Sequence, residues 1–210
     1  MRTVVERTDD RKPDMAVMKA AATIIKSGGV VVYQTETCYG LAADATNRKA
    51  VEKIYKIKER PADKSIPVIV SSMSMMEKYG KVTKIVRLLA KEFMPGPLTI
   101  VTDKKNLPDN LNPNGVAFRI SSSPVASALA RLVGKPITAT SANISGQPSI
   151  YDGSKASRAF DGKVEMVLDA GVLRKVKPST YVDARSMKIV RDGAIPRGKI
   201  VNFIQRVNKR

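Results

Sequence analysis

Residues 27–40 read SGGVVVYQTETCYG, and this stretch decides the fold class. Glycine tolerates the left-handed backbone of a helix end, so Ser27–Gly29 predicts the end of a preceding helix. The β-branched run Val30–Tyr33 predicts a strand that is buried on both faces of a sheet. The polar loop Gln34–Gly40 follows that strand, at the kind of position where open α/β sheets bind their ligands.

Helical and strand patterns alternate on both sides of this stretch. Asp14 is placed to cap a helix, and Gly134 is placed to end another. The predicted helices are 15–26, 48–59, 82–93, 124–133 and 200–207, and the predicted strands are 30–33, 67–70, 98–101, 116–120, 137–140, 164–168, 180–183 and 188–191. Short apolar strands between helices predict an α/β domain. The last three strands have no helix between them, which favours a mixed sheet.

The chain has 210 residues, of which 43% are apolar, as in one medium domain with a substantial core. We therefore predict a single α/β domain over residues 1–210, built on a twisted, mixed, open sheet flanked by helices. Its core is expected over about residues 14–196. A basic C-terminal helix and tail are expected over residues 197–210.

The composition excludes several kinds of chemistry. Cys38 is the one cysteine and histidine is absent, which excludes an internal disulfide, the usual zinc sites and Ser-His-Asp or Cys-His catalysis. No apolar run reaches the length of a membrane helix, and the polar N-terminus lacks the pattern of a secretory signal. We expect a cytoplasmic protein without a membrane partner.

The chain is strongly basic. Its 37 Lys and Arg residues outnumber 19 Asp and Glu residues, which leaves a net charge of +18. The excess is concentrated between Arg174 and Arg210, where eleven cations accompany two aspartates. Such a field attracts polyanions, whether RNA or the phosphates of a nucleotide. Two alternatives would explain the same excess of basic residues: a surface that keeps the protein soluble, or adaptation to a cytoplasm of high salt concentration.

Cations occur in two further places that favour a binding site. Lys58, Arg60 and Lys64 surround the end of a predicted helix, so all three can converge on one anion. The alternative for them is a solvated basic helix end. Arg119 interrupts an apolar strand, where a guanidinium is costly unless it is paired. We favour a carboxylate or phosphate clamp at Arg119, with a structural ion pair as the alternative.

Residues 138–149 read TATSANISGQPS and follow a predicted buried strand. Their five hydroxyls and the amide of Asn143 can cradle phosphates or a ribose with neutral donors. Neither a Walker loop nor a G-x-G-x-x-G fingerprint occurs, so a nucleotide would bind on a different scaffold. The loop Gln34–Gly40 can hold a small polar substrate, and the alternative is a turn that is merely polar.

These segments, in this order, resemble the YrdC-type threonylcarbamoyl-adenylate synthases. The matching blocks are TETxYGLAADA at 35–45, AVEKIYxIKxRPxDK at 50–64, PGPLT at 95–99, VAxRI at 116–120, SANxSGxPS at 141–149 and STxVD at 179–183. The resemblance runs from Gly28 to Ile195, nearly the whole chain. It implies a YrdC/RibB-like fold in the short form of the family, without the additional C-terminal domain.

The resemblance implies a nucleotidyltransferase that converts L-threonine, bicarbonate and ATP into threonylcarbamoyl-AMP and pyrophosphate. A transfer enzyme of the tRNA-modification pathway would then pass the threonylcarbamoyl group to tRNA. Mg²⁺ would accompany ATP, held by phosphate oxygens and water and by no protein side chain. No organic prosthetic group is implied.

The resemblance also assigns roles position by position. Thr37, Arg119 and Ser179 are assigned to L-threonine. Lys58 and Arg60 form the K-x-R pair, which is assigned to catalysis at the nucleotide phosphates. The residues assigned to ATP are Arg60, Lys64, Gly115, Ala139, Ser141, Asn143, Ser149 and Arg191.

Three positions depart from the family pattern. Ile69 stands where some relatives have histidine, Ser121 replaces a usual proline, and Asp192 follows Arg191 where many relatives have proline. Two other functions stay open beside the enzyme. One is a non-catalytic module that binds double-stranded RNA or tRNA by shape and charge. The other is a nucleotide-binding regulator that kept the pocket and lost turnover.

Overall fold

The computed structural model describes residues 2–208, and within that range the chain forms seven helices and eleven strands. The helices are α1 Met15–Lys26, α2 Arg48–Lys58, α3 Met73–Tyr79, α4 Lys84–Phe93, α5 Pro124–Val133, α6 Gly153–Phe160 and α7 Arg197–Asn208. The strands are β1 Val4–Arg7, β2 Val31–Gln34, β3 Tyr39–Ala42, β4 Val68–Ile69, β5 Leu98–Thr102, β6 Val116–Arg119, β7 Ile137–Thr138, β8 Thr140–Ser141, β9 Met166–Asp169, β10 Thr180–Asp183 and β11 Lys188–Arg191. None of the helices in these residues is long and apolar enough to span a bilayer.

The strands are divided between two mixed sheets. One has the order β1-β9-β2-β3-β8, and the other has the order β11-β10-β5-β6-β4-β7. Parallel and antiparallel pairs occur in both: β2 pairs parallel with β9 and antiparallel with β3, and β4 pairs parallel with β6 and antiparallel with β7. The predicted α/β class with mixed pairing is confirmed, with the difference that two sheets replace the single one expected.

Residues 137–141 belong to both sheets, which explains that difference. The segment was expected to be one strand, but it forms β7 in the six-stranded sheet and β8 in the five-stranded sheet. Thr138 holds the crossing point, because its hydroxyl donates to Leu41 O at 2.7 Å and accepts from Ala43 N at 2.9 Å. Ala139, between the two short strands, donates its N–H to Pro67 O at 2.8 Å. The junction therefore brings strand ends from both sheets close together.

The core lies on both faces of β2, as its apolar run predicts. One cluster packs α1 and α5 against β2 through residues such as Met18, Val31 and Leu129. The larger cluster includes Val32 and Phe118, one from each sheet. Alternate residues of a strand point to opposite faces, so adjacent valines enter different clusters.

Helix ends follow the capping signals in the sequence. The Asp14 carboxylate accepts from Ala16 N at 2.7 Å and caps α1, and Gly134, with φ of +74°, ends α5. Within the described residues, β1, β3, α3 and α6 were not predicted. Strand β1 is an exposed edge strand, paired with β9 alone, so it lacks an apolar pattern. Lys209 and Arg210, part of the predicted basic tail, lie outside the described residues.

Candidate active site

A cavity of about 550 Å³ opens where the two sheets meet. The ends of β5, β6 and β10, the crossing segment and the loop before β3 supply its walls. The residues that line it are Thr37, Cys38, Arg60, Ser65, Pro67, Thr99, Arg119, Ala139, Thr140, Ser141, Ser149, Tyr151, Val176, Pro178, Ser179, Tyr181, Val190 and Arg191. Three arginines and many hydroxyls therefore face one hollow, which suits anionic ligands.

Most of the residues singled out from the sequence meet in this cavity. Those that line it are Thr37, Arg60, Arg119, Ala139, Ser141, Ser149, Ser179 and Arg191. Lys58 and Asn143 lie directly behind the wall, as described below. Lys64 is exposed next to Arg60, and its carbonyl accepts from Arg60 Nε at 3.1 Å.

Arg119 ends β6 and is almost fully buried, with 6% of its surface exposed. Its Nη2 contacts Glu36 Oε2 at 2.5 Å, and its Nη1 is 3.5 Å from Thr37 Oγ1. Its Nε is buried without a hydrogen-bond partner in the described residues. The sequence left two interpretations of Arg119 open, a ligand clamp and a structural ion pair. The structure shows the ion pair with Glu36, and it also places Arg119 in the cavity wall.

Ser179 and Arg191 form a second polar wall. Arg191 donates to Ser179 O through Nε at 3.1 Å and through Nη2 at 2.9 Å, and its Nη2 also lies 3.0 Å from Ser179 Oγ. The Ser179 hydroxyl is 2.8 Å from Thr99 Oγ1. The Arg191 guanidinium stacks over Tyr181, 4.1 Å from the ring centre, and burial raises the pKa of the Tyr181 hydroxyl. Stacking and hydrogen bonds together fix the direction of Arg191.

The K-x-R pair is split by the end of α2. Glu59 adopts a left-handed conformation (φ of 49°, ψ of 43°) as the C-cap, which turns the chain between Lys58 and Arg60. Arg60 consequently reaches the cavity wall, where its Nη2 donates to Ser65 O at 2.9 Å. A guanidinium has five N–H donors, so this arginine keeps donors for a ligand.

Lys58 is buried behind the cavity wall, with 1% of its surface exposed. Its ammonium donates to Ser141 O at 2.5 Å, to Asn143 O at 2.7 Å and to Asn143 Oδ1 at 3.1 Å. An ammonium has three donors, so none is left for a phosphate. Burial, followed by the charge of Arg60, lowers the pKa of Lys58 to about 8. In this structure Lys58 therefore supports the turn at residues 141–143.

Asn143 completes that turn. Its Oδ1 accepts from Ser141 Oγ at 2.5 Å, and its Nδ2 donates to Ile144 O at 3.0 Å. The amide is thus used within the loop, while Ser141 and Ser149 present hydroxyls to the cavity. The S-x-N spacing matters because the first residue lines the cavity and the third holds the turn.

Gly115 is the residue that the structure does not bring to the cavity. It precedes β6, whereas Arg119 at the other end of that strand lines the cavity, about 13 Å away at the usual rise per residue. Its φ is +137°, and a Cβ atom there would lie 2.6 Å from Thr102 O. Glycine is therefore explained by backbone contact with β5, and Gly115 does not line the cavity.

The three departures from the family pattern have structural counterparts. Ile69 is fully buried and pairs in register with Arg119, so it supplies no polar contact there. The Ser121 hydroxyl donates to Glu36 Oε2. Asp192 pairs with Arg197 at 3.1 Å, which leaves Arg191 on the cavity wall.

Several lining residues were not identified from the sequence. They are Ser65, Thr99, Tyr151, Val176, Tyr181 and Val190. Thr99 is a matched position of the block at 95–99, so that block held a usable signal, whereas Tyr181 is the unmatched position of the block at 179–183. Val176 and Val190 show only ordinary apolar character, and long-range packing alone brings them to the cavity.

No metal-binding group of three or more Cys, Asp, Glu or His side chains occurs in residues 2–208. The side chains that line the cavity are cationic, hydroxylic or apolar. This donor set fits a magnesium ion only as part of a complex with a nucleotide, whose phosphate oxygens are its preferred ligands.

Known proteins resemble this chain over most of its length. The sequence model of the Sua5/YciO/YrdC family, described as telomere recombination, matches residues 23–193. A protein of Methanocaldococcus jannaschii is 35% identical over 195 residues, which cover 91% of each chain. The threonylcarbamoyl-AMP synthase of Pyrococcus abyssi is 35% identical over 193 residues, and the match covers 89% of this chain and 57% of that protein.

Solved structures agree with the sequence matches. The crystal structure of P. abyssi Sua5 complexed with L-threonine has a TM-score of 0.91 and 33% identity, covering 96% of this chain and 61% of that one. E. coli YciO has a TM-score of 0.84 at 24% identity, which supports the fold alone. The chain belongs to the Sua5/YciO/YrdC family.

Proposed function

We propose that this protein is an L-threonylcarbamoyladenylate synthase, which makes threonylcarbamoyl-AMP and pyrophosphate from L-threonine, bicarbonate and ATP. One observation carries the proposal: Arg60 and Arg119, from distant parts of the chain, line the same cavity together with hydroxyl-bearing segments. All three substrates have negative charge: L-threonine in its carboxylate, ATP in its triphosphate, and bicarbonate as a whole. A single hollow with several cations can therefore hold them side by side and offset their mutual repulsion.

L-Threonine would bind at the end of the cavity formed by Thr37, Arg119 and Ser179. Arg119 would receive the carboxylate, because a guanidinium matches the two carboxylate oxygens. Thr37 lies 3.5 Å from that guanidinium, and Ser179 is held by Thr99 and Arg191. The P. abyssi Sua5 structure, which is complexed with L-threonine, shares this fold, which supports the assignment.

ATP would occupy the remaining wall. Arg60 would contact the phosphates, Ser149 would donate its hydroxyl, and Arg191 would close the far side. The hydroxyl of Ser141 donates to Asn143 Oδ1, so Ser141 would offer ATP an acceptor oxygen. The N–H of Ala139 is already bonded to Pro67 O, so Ala139 would contribute its surface and not its donor. Lys58 and Asn143 would act from behind by holding the turn, and Lys64 would meet the phosphates from the exposed rim.

The reaction needs bond formation at two centres. The deprotonated threonine nitrogen attacks the bicarbonate carbon, and water leaves to give a carbamate. A carbamate oxygen then attacks the α-phosphorus, and the bond to the bridging oxygen breaks to release pyrophosphate. Bound Mg²⁺ would neutralise part of the triphosphate charge. Arg60 would stabilise the charge that develops on the transferring phosphorus, since preorganised cations act strongly in a partly enclosed site.

The test is pyrophosphate release by the purified protein. Release should require ATP, L-threonine and bicarbonate together, and the adenylate should be detected by mass spectrometry. Arg60→Ala should reduce the rate by at least about a hundredfold, as loss of one preorganised charge contact does elsewhere. Arg158→Ala on α6, an exposed arginine away from the cavity, is the matched control and should keep the wild-type rate. No release with any amino acid would overturn the proposal.

A contact with tRNA is supported by charge. The net charge of +18 favours a role in tRNA modification, with the product passed to a transfer enzyme that acts on the same RNA. Binding of a labelled tRNA should weaken steeply with salt. In that assay Arg60→Ala should lose only the share of one phosphate contact. If Arg60→Ala abolished tRNA binding and left turnover unchanged, the assignment of Arg60 to the nucleotide phosphates would be wrong.

A further inference from the structure

The carboxylate of Glu36 already binds one nitrogen of the Arg119 guanidinium. Glu36 Oε2 lies 2.5 Å from Arg119 Nη2, and the Ser121 hydroxyl donates to the same oxygen. The second oxygen, Oε1, accepts from Ser122 N at 3.4 Å. Both members of the pair are largely buried, with side-chain exposures of 8% for Arg119 and 15% for Glu36. The carboxylate is thus held from two directions.

The other two nitrogens of Arg119 have weaker partners or none among the described residues. Nη1 is 3.5 Å from Thr37 Oγ1, a long contact that a stronger acceptor would replace. Nε is buried and has no partner among the described residues. A buried donor without a partner is costly, and a bound acceptor would relieve that cost. Glu36 therefore fixes Nη2 of the guanidinium, while Nη1 has only a long contact that a ligand can replace.

We propose that Glu36 is a positioning residue, which sets the guanidinium of Arg119 in the orientation that receives the carboxylate of the amino-acid substrate. The inference rests on the proposed function, because it concerns the threonine end of the same cavity. Without Glu36, Arg119 would be a buried cation beside the apolar Ile69, with which it pairs in register. A buried charge that loses its partner relaxes toward solvent or other acceptors. The Arg119 guanidinium would then no longer be held in one orientation.

Ser121 supports the Glu36–Arg119 pair through a hydrogen bond that proline could not make. Proline, expected at this position from the family pattern, has no side-chain donor. The serine adds one hydrogen bond to Glu36, and its Oγ also accepts from Ser123 N at 3.2 Å, which ties the carboxylate to the start of α5. In this chain the orientation of Arg119 therefore depends on two residues, Glu36 directly and Ser121 through it.

Direct binding separates this inference from the proposed function. L-Threonine and ATP are titrated separately into the wild-type protein and its variants by calorimetry, which requires no turnover. Glu36→Ala should weaken threonine binding at least about tenfold and change ATP binding less than about threefold. Glu36→Gln keeps an oxygen acceptor for both Arg119 and Ser121, so it should restore threonine binding to within about fivefold of the wild type.

A second pair of variants covers the case in which Glu36→Ala does not fold. Ser121→Ala should weaken threonine binding about threefold, while Ser154→Ala, an exposed serine on α6, should leave it unchanged. Unchanged threonine binding in Glu36→Ala, or in Ser121→Ala where the former is unfolded, overturns the inference. Equal weakening of threonine and ATP binding also overturns it, because that pattern indicates a general structural role. Absence of pyrophosphate release by a wild type that binds threonine would count against the proposed function alone.

Discussion

Two buried cations, Lys58 and Arg119, border the cavity and differ in what surrounds them. The ammonium of Lys58 meets three oxygens of the turn at residues 141–143, which uses all its donors. Arg119 meets one carboxylate and keeps donors that face the cavity. Both residues are buried cations, so the role of each follows from its donors and their partners.

The low pKa of Lys58 predicts a pH-dependent defect in a variant that lacks the ammonium. At pH 7 Lys58→Met should lower kcat/KM for ATP about tenfold, because the loop with Ser141 is no longer held by a charged donor. Burial lowers the lysine pKa to about 8, so the wild-type side chain loses its proton as the pH rises through that value. The defect of Lys58→Met should therefore shrink between pH 8 and pH 9.5. A ratio of variant to wild-type rates that stays constant with pH would contradict this account.

Thr138 gives a second prediction at the scale of one side chain. Thr138→Val keeps the shape but removes the hydroxyl that bonds Leu41 O and Ala43 N in the fully buried junction of the sheets. Two buried backbone groups then lack a partner, so the free energy of unfolding should fall by about 1–3 kcal/mol. Urea denaturation measures this loss. Thr23→Val, whose hydroxyl bonds only Lys19 O on the exposed side of α1, should change the value far less.

At the scale of elements, α2 connects the core to the site. Its apolar residues, among them Val51 and Ile54, are buried in the larger core cluster, and its last residue is Lys58. Its C-cap, Glu59, is a non-glycine residue in the left-handed conformation. That turn sends Arg60 to the cavity and Lys58 to the interior, so the end of one helix determines the roles of both cations.

The start of α2 lies far from the cavity and should affect stability alone. Asn47 accepts from Lys49 N at 3.0 Å and from Ala50 N at 3.2 Å as the N-cap. Asn47→Ala should lower the free energy of unfolding by about 1 kcal/mol, whereas Asn47→Asp keeps an acceptor and should retain it. Thermal denaturation of both variants, beside turnover at 25 °C, checks this. A loss of turnover at full stability would show that the cap acts on the site.

At the scale of the whole molecule, net charge opposes folding. With +18 charges on 210 residues, self-repulsion destabilises the compact state at low ionic strength. The Debye length is about 30 Å at 0.01 M salt and about 8 Å at 0.15 M, so added salt screens this repulsion. The melting temperature should rise by several degrees when NaCl is raised from 10 to 150 mM in a phosphate-free buffer. A fall over that range would mean that the surface ion pairs outweigh the repulsion.

The alternation of strands and helices was predictable because the spacing of apolar residues along the chain indicates each element. Helices α1 and α5 begin and end where the sequence pattern places them, and strands β10 and β11 have the predicted bounds. The division into two sheets was not predictable, since residues 137–140 read as one short apolar strand. Only pairing with two different partners, at Leu41 and at Val68, separates β7 from β8.

What the sequence by itself determined is the chemistry available: arginines, hydroxyls and a lone cysteine, with no histidine, on an α/β frame. Those properties depend on residue type and on neighbours along the chain, so they are visible without coordinates. Only the tertiary structure decided which cations reach the cavity, that Gly115 does not, and that Glu36 meets Arg119 across 83 positions of sequence. These placements depend on the direction of each side chain and on the pairing of distant strands. A shift of one residue in the register of a strand would turn its side chains to the opposite face of the sheet.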